Sequence, residues 1–151
     1  MRQPVEKSLR ARALDALARR EHTRTELFRK LSAHTEDLDA LNQLLDDLQT
    51  RGWLSDARYA EQRAHARQSR YGSRKIGYEL REQGVSQTLI AATLAGLKTT
   101  EVERAREVWQ KKFGVPAATP KERNQQMRFL QSRGFDLDVI YRVINQAEDD
   151  C

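Results

Sequence analysis

The sequence predicts an all-α protein made of three tandem three-helix repeats, about nine helices in an elongated, curved array. Three observations carry this expectation. Apolar residues recur at helical spacing, as in Leu9, Ala13, Leu14, Leu17 and Ala18, and again in Ile140, Val143, Ile144 and Ala147. Alternation of β-branched residues is nearly absent, so strands have little support. The chain also repeats. Leu27, Leu80 and Leu130 each lie four residues before a break, at Leu31-Ser32, Gly84-Val85-Ser86 and Gly134-Phe135-Asp136. Each is preceded by a basic run beside a ring: Arg19-Arg20-Glu21-His22, Arg70-Tyr71-Gly72 and Lys111-Lys112-Phe113-Gly114.

Taken in order, the first helix is expected over 6–20, on its apolar stripe. The second, over 24–32, follows Thr23-Arg24-Thr25-Glu26, a capping box with Glu three residues after the hydroxyl. The third, over 37–51, starts after Thr35 at the acids Glu36 and Asp37. It carries a core stripe from Leu38 to Leu48 and stops at Gly52. That run is too short to require a coiled-coil partner. Ser55 or Asp56 caps a fourth helix over 56–70. Gly72-Ser73 opens a fifth over 74–83, and Gly84-Val85-Ser86 a sixth over 87–96. A seventh covers 100–112. Pro116-Ala117-Ala118-Thr119-Pro120 forms a loop before an eighth over 121–133, and Gly134-Phe135-Asp136 leads into the ninth over 137–147. The three units are therefore 6–53, 54–98 and 99–149. Trp53, Trp109, Phe113 and Phe135 lie beside turns or on the seventh helix and are expected to fill seams between helices.

Composition agrees with a wet, repetitive body. Of 151 residues, 38% are hydrophobic and 32% charged, where globular chains average roughly 45–50% and about 25%. Mean hydropathy is −0.81, so a large α/β enzyme with buried parallel strands is not expected. No stretch approaches the ~18 apolar residues of a membrane span, and Met1-Arg2-Gln3-Pro4 starts no secretory signal. The single cysteine, Cys151, excludes an internal disulfide framework and leaves a reducing cytoplasm as the simplest compartment. Lys+Arg number 27 against 22 Asp+Glu, a net charge of +5. The charges are segregated: nine basic and four acidic residues in 1–30, one and six in 31–56, seven and three in 57–85. A polarised surface of this kind attracts a polyanion to one side.

No enzyme constellation is present in the sequence. His22, His34 and His65 are scattered, with no metal-ligand spacing. Gly72-Ser73-Arg74-Lys75 lacks the leading glycine and preceding strand of a phosphate loop. Asp46-Asp47 and Asp149-Asp150 are adjacent pairs that diverge on a helix, as solvated charges do. No cofactor or metal is expected. The stretch from Arg67 to Arg81 is the exception to this blandness. Arg67, Arg70, Arg74, Lys75 and Arg81 cluster with Tyr71 and Tyr78 around a helix–turn–helix junction. Its arginines could meet phosphates or an acidic protein groove, the helix N-terminus at Ser73 offers N–H groups, and the tyrosines could stack on bases. The competing readings are a solvated basic face over a Tyr71/Ile76 core, and a stand-alone helix–turn–helix DNA-binding protein. Against the latter, Gln87 and Thr88 are the only polar residues near the start of the second helix.

Three stretches resemble a known family: Ala18-Arg19-Arg20-Glu21-His22 through Leu31; Arg51-Gly52-Trp53-Leu54 through Tyr71-Gly72-Ser73-Arg74-Lys75-Ile76 to Glu79-Leu80-Arg81-Glu82-Gln83-Gly84; and Arg128-Phe129-Leu130-Gln131-Ser132-Arg133-Gly134-Phe135. The sequence resembles the RecX family, bacterial regulators of the RecA recombinase, over roughly residues 8–147. Ser55 and Gln83 depart from it, where an acid and a lysine are common. The resemblance implies a non-enzymatic protein of tandem three-helix repeats that lies along the RecA filament and mainly inhibits strand exchange, ATP hydrolysis and coprotease activity. It also implies contacts with single- or double-stranded DNA in some members. A monomer is expected in solution. The candidate contacts are Arg58, Arg67, Arg70, Tyr71, Arg74, Lys75 and Arg81 in the second unit, with Lys111, Lys112, Arg128 and Arg133 in the third.

Overall fold

A computed structural model describes residues 7–150, so Met1–Glu6 and Cys151 lie outside it. Within the described residues there are nine α-helices and no strand: α1 (Leu9–Arg19), α2 (Arg24–Ser32), α3 (Leu38–Thr50), α4 (Asp56–Arg67), α5 (Ser73–Glu82), α6 (Gln87–Lys98), α7 (Glu101–Lys112), α8 (Pro120–Ser132) and α9 (Leu137–Asp149). Side-chain caps fix most starts. Thr23 and Glu26 close the capping box of α2, and Ser8, Asp37, Ser55, Ser86 and Thr119 cap α1, α3, α4, α6 and α8. The start of α3 is capped by Asp37, the second of the two expected acids, and α4 stops at Arg67, before the expected Arg70.

Three hydrophobic clusters form, one per group of three helices. The first centres on Ala13, Leu27, Leu31, Leu41, Leu45 and Leu48, the second on Ala60, Ile76, Leu80 and Ile90, the third on Ala105, Leu130, Phe135 and Ile140. The fold is therefore a tandem array of three small cores. Two expectations fail here. Leu38 is 48% exposed and Trp53 45%, because each sits at the edge of its helix or turn where no neighbouring element covers it. Arg51 stacks over Trp53 instead.

The structure also resets the repeat. The fifth residue of the first helix in each group is a fully buried alanine: Ala13, Ala60 and Ala105. In the second helix the buried i,i+4 pairs are Leu27/Leu31, Ile76/Leu80 and Gln126/Leu130. The third-helix caps Asp37, Ser86 and Asp136 all lie six residues after Leu31, Leu80 and Leu130. So Leu31, not Leu27, matches Leu80 and Leu130, and Thr35 stands where the other units have Gly84 and Gly134. Sequence alone misplaced the register by four residues because Leu27 and Leu31 are both core and no glycine marks the first turn.

The hydrogen bonds and ion pairs between units join the first to the second and the second to the third; none among the described residues joins the first to the third. The two joints share a design. The N–H of Arg24, first in α2, donates to Asp56, first in α4 (2.8 Å). The N–H of Ser73, first in α5, donates to Glu101, first in α7 (2.6 Å). A helix start carries positive potential, so an acid at the start of the next unit is a fitting acceptor. Thr23 Oγ1 donates to Gln83 O (2.7 Å) in one joint, and the Gly72 N–H donates to Arg133 O (2.8 Å) in the other. Each joint closes on a left-handed glycine, Gly84 (φ 79) and Gly134 (φ 89), packed so tightly that an added Cβ would overlap Thr25 or Lys75.

Candidate partner-binding groove

The seam between the second and third units opens into a groove of about 430 Å³. The end of α4 and its loop supply Ser69, Arg70 and Tyr71; α7 supplies Val108, Lys111 and Lys112; α8 and its C-terminus supply Phe129 and Arg133. The lining holds four cations and no acid. Arg70, Lys111 and Lys112 are exposed, and Arg133 is half-buried.

Cations pack against both rings of the groove. Lys75 Nζ lies 4.5 Å from the Tyr71 ring centroid, and the Arg67 and Arg133 guanidiniums lie at 5.1 and 5.5 Å from it. Arg133 also lies 5.1 Å from the Phe129 centroid and Lys112 5.5 Å. Phe113 meets Phe129 edge-on at 5.5 Å. The cations thus occupy the aromatic faces. The Tyr71 ring, expected as a stacking surface for bases, is flanked by three cations in this structure. Tyr78 is well exposed but lies outside the groove.

One expectation fails. The first two N–H groups of α5 are not free, because Ser73 donates to Glu101 and Arg74 donates to Gly134 O (3.0 Å). The Ser73 hydroxyl also binds the Glu101 carboxylate. The start of this helix–turn–helix pair is enclosed by the third unit.

The candidate residues therefore separate. Arg70, Tyr71, Lys111, Lys112 and Arg133 converge on the groove, with Lys75 and Arg67 buttressing Tyr71. Arg67 is also tied to Glu79 (3.1 Å). Arg58 is part of the first joint, binding Glu21 (2.7 Å), Gly52 O and Trp53 O. Arg74 lies 3.7 Å from Asp136 across the second joint. Arg81 reaches Gln87, and Arg128 is exposed on α8; neither lines the groove. Sequence reasoning missed Phe129 and Val108 as groove residues. The legible signal was the Phe129/Arg133 pair, one helical turn apart at the end of α8.

Buried Arg104 holds the floor together. Its guanidinium donates to Gln68 O (2.8 Å), Tyr71 O (3.1 Å) and Leu97 O (3.2 Å). Burial lowers its pKa and Glu101 opposes that shift, yet an arginine keeps its charge. The loop that presents Arg70 and Tyr71 is thereby pinned to α7. Among the described residues, no group of three His, Cys, Asp or Glu side chains is placed to hold a metal ion.

A family model for the second three-helix domain of RecX matches residues 55–94, and one for the third matches 99–144. A regulatory protein RecX from Leptothrix cholodnii is 47% identical over 93% of this chain and 90% of its own length. The chain belongs to the RecX family. The regulatory protein RecX of Ralstonia nicotianae is 44% identical over 97% of this chain and 91% of that protein. A crystal structure of RecX from Lactobacillus salivarius superposes with a TM-score of 0.82 over 93% of this chain and 94% of that one, at 19% identity. That likeness establishes the shared nine-helix array. In this chain the groove straddles the two matched domains, so it exists only when both are docked.

Proposed function

We propose that this chain regulates a RecA-type recombinase filament without chemistry of its own, lying along the polymer and bracing or displacing its protomers. The units 6–53, 54–98 and 99–149 would follow successive protomers, and weak contacts would add because they are linked. The supporting observation is the groove of Arg70, Lys111, Lys112 and Arg133, which gathers four cations around two rings with no acid to neutralise them. Such a surface reads negative charge and not base identity, so it suits the acidic flank of a protein polymer or the phosphates within it.

The test is ATP hydrolysis by RecA on single-stranded DNA, titrated with the wild-type chain and with Arg70→Glu/Lys111→Glu/Lys112→Glu. Wild type should suppress hydrolysis well below one copy per protomer. The triple variant should lose at least tenfold in potency while keeping its helical circular dichroism. Equal potency of the two proteins would remove the groove from the interface.

A further inference from the structure

The joint face that the second and third units present to their predecessors is also present on the first unit, where no other described element of the chain fills it. In register, Leu9 of α1 replaces the acids Asp56 and Glu101, and Thr35 replaces the close-packed glycines Gly84 and Gly134. Arg12 occupies the helix position of Arg104, which in the filled joint binds carbonyls of the preceding unit. Around it lie two adjoining concavities of about 220 and 480 Å³. Arg12, Arg19, Lys30 and Lys7 line them, with Asp15 and Glu36 as the acids. Lys7 binds Asp15 at 2.7 Å, and among the described residues neither Arg12 nor Arg19 has an acid within ion-pair distance. The face lacks the acceptor for a helix start and carries an excess of positive charge.

The opposite end of the array is altered in the complementary way. In register, the first N–H of α2 and α5 corresponds to that of Arg123 in α8. Helix α8 begins one turn earlier, at Pro120, so the Arg123 N–H is used inside the helix, donating to Thr119 O (3.0 Å). Beside it the C-terminus of α9 is anchored by Arg123, which donates to Asn145 (3.0 Å) and meets Glu148 (3.4 Å). That terminus ends in exposed Asp149 and Asp150, and a helix C-terminus adds its own negative potential. Donor and acceptor have thus been removed from the two ends together, and an anionic end faces outward where the array would continue onto a cationic one.

We propose that copies of this protein associate head to tail, the acidic C-terminus of α9 in one copy seating against Arg12, Arg19 and Lys30 of the next. The contact is heterologous and does not close on itself, so it extends a row and builds no sealed dimer. A few exposed ion pairs make it weak in free solution and salt-sensitive. It counts when neighbouring copies are already held in line, where it makes loading on a polymer cooperative. This end-to-end contact uses none of the residues of the groove between the second and third units.

The test is sedimentation velocity and small-angle scattering on the full chain, from dilute to ~1 mM protein, at low and at high salt. Wild type should show reversible, concentration-dependent growth in length at low salt, abolished at high salt. Arg12→Glu/Arg19→Glu and Asp149→Lys/Asp150→Lys should each weaken association about tenfold or more. The fourfold charge-swapped chain, or an equimolar mixture of the two double variants, should recover it. Circular dichroism of each variant verifies folding. A wild-type chain that stays monomeric throughout at low salt overturns the proposal. So does recovery failing in both the fourfold chain and the mixture, or reversal at either end leaving association unchanged.

Discussion

His22 is 2% exposed in the loop between α1 and α2, and its ring is held in one tautomer. Nδ1 lies 3.0 Å from Arg20 O, so Nδ1 carries the proton, and Nε2 faces Lys30 Nζ at 3.5 Å. Burial lowers its pKa, with the nearby Arg20 and Lys30 charges adding to that shift and the Arg20 carbonyl and Glu26 opposing it. The unfolded chain therefore binds a proton near pH 6.5 that the folded chain refuses until lower pH. Stability should fall as pH drops through 6.5 and level off below the folded value. The melting temperature, followed from pH 8 to pH 5, should show this slope, and His22→Asn should flatten it. Glu26, in the first turn of α2, is raised by burial, but the Arg20 hydrogen bond and the Thr23 N–H outweigh burial and leave it below the usual carboxylate range. Its share of the stability is lost only in stronger acid, so the two effects separate along the pH axis.

Gly134 is the residue on which the second joint closes. A methyl there would lie 2.4 Å from Lys75 Cβ and 2.6 Å from its backbone nitrogen, in a left-handed conformation. Backbone has no room to yield as a flexible side chain does, so Gly134→Ala should destabilise by roughly 2–4 kcal/mol in chemical denaturation. Gly52 has a similar φ of 75 but open space around it, and Gly52→Ala should carry only the conformational cost, about 1 kcal/mol.

At the scale of elements, the second helices of the first two units, α2 and α5, serve as both core and connector. The face of α5 carrying Ile76 and Leu80 is buried in its own unit, while its first turn donates to the next. Glu101 and Arg104 on α7 hold that turn and the preceding loop. Replacing Arg104 with Met strands the carbonyls of Gln68 and Tyr71, while Leu97 O keeps the Thr100 N–H, and removes a favourable charge from the neighbourhood of Glu101, at a cost of about 3 kcal/mol. The same change frees the loop bearing Arg70 and Tyr71. The expected outcome is reduced potency on RecA ATP hydrolysis with every groove side chain still present, which a purely local contact model does not give.

The whole molecule is a chain of nearest-neighbour contacts, so its cooperativity depends on the joints. Trp109 is 5% exposed in the third core, with Nε1 donating to Gln126 (2.9 Å), and Trp53 is 45% exposed near the first joint. With intact joints, unfolding followed by Trp109 fluorescence and by helical circular dichroism should coincide. In Glu101→Ala the two transitions should separate, because the third unit loses its anchor to the second. Coincident transitions in that variant would mean that the remaining contacts of the joint, Arg104 to Gln68 and Tyr71 and Gly72 to Arg133 among them, couple the units without Glu101.

Helical spacing, caps and turn glycines were enough to place nine helices, since each of these is a local property of a few neighbouring residues. Thr23/Glu26, Ser55 and Gly84 could be read with no knowledge of what they touch. The basic residues near Tyr71 were equally visible as a cluster. Which of them remain available to a partner was not, because Arg58, Arg67 and Arg74 each meet an acid 37, 12 or 62 positions away along the chain. Lys111, Lys112 and Arg133 join Arg70 only through the docking of two units. Long-range pairing is fixed by how cores stack and by which joint acids meet which helix starts, and sequence spacing carries no record of those distances. Composition and periodicity determined that this chain is a wet array of small helical cores; the joints decided where its charges gather.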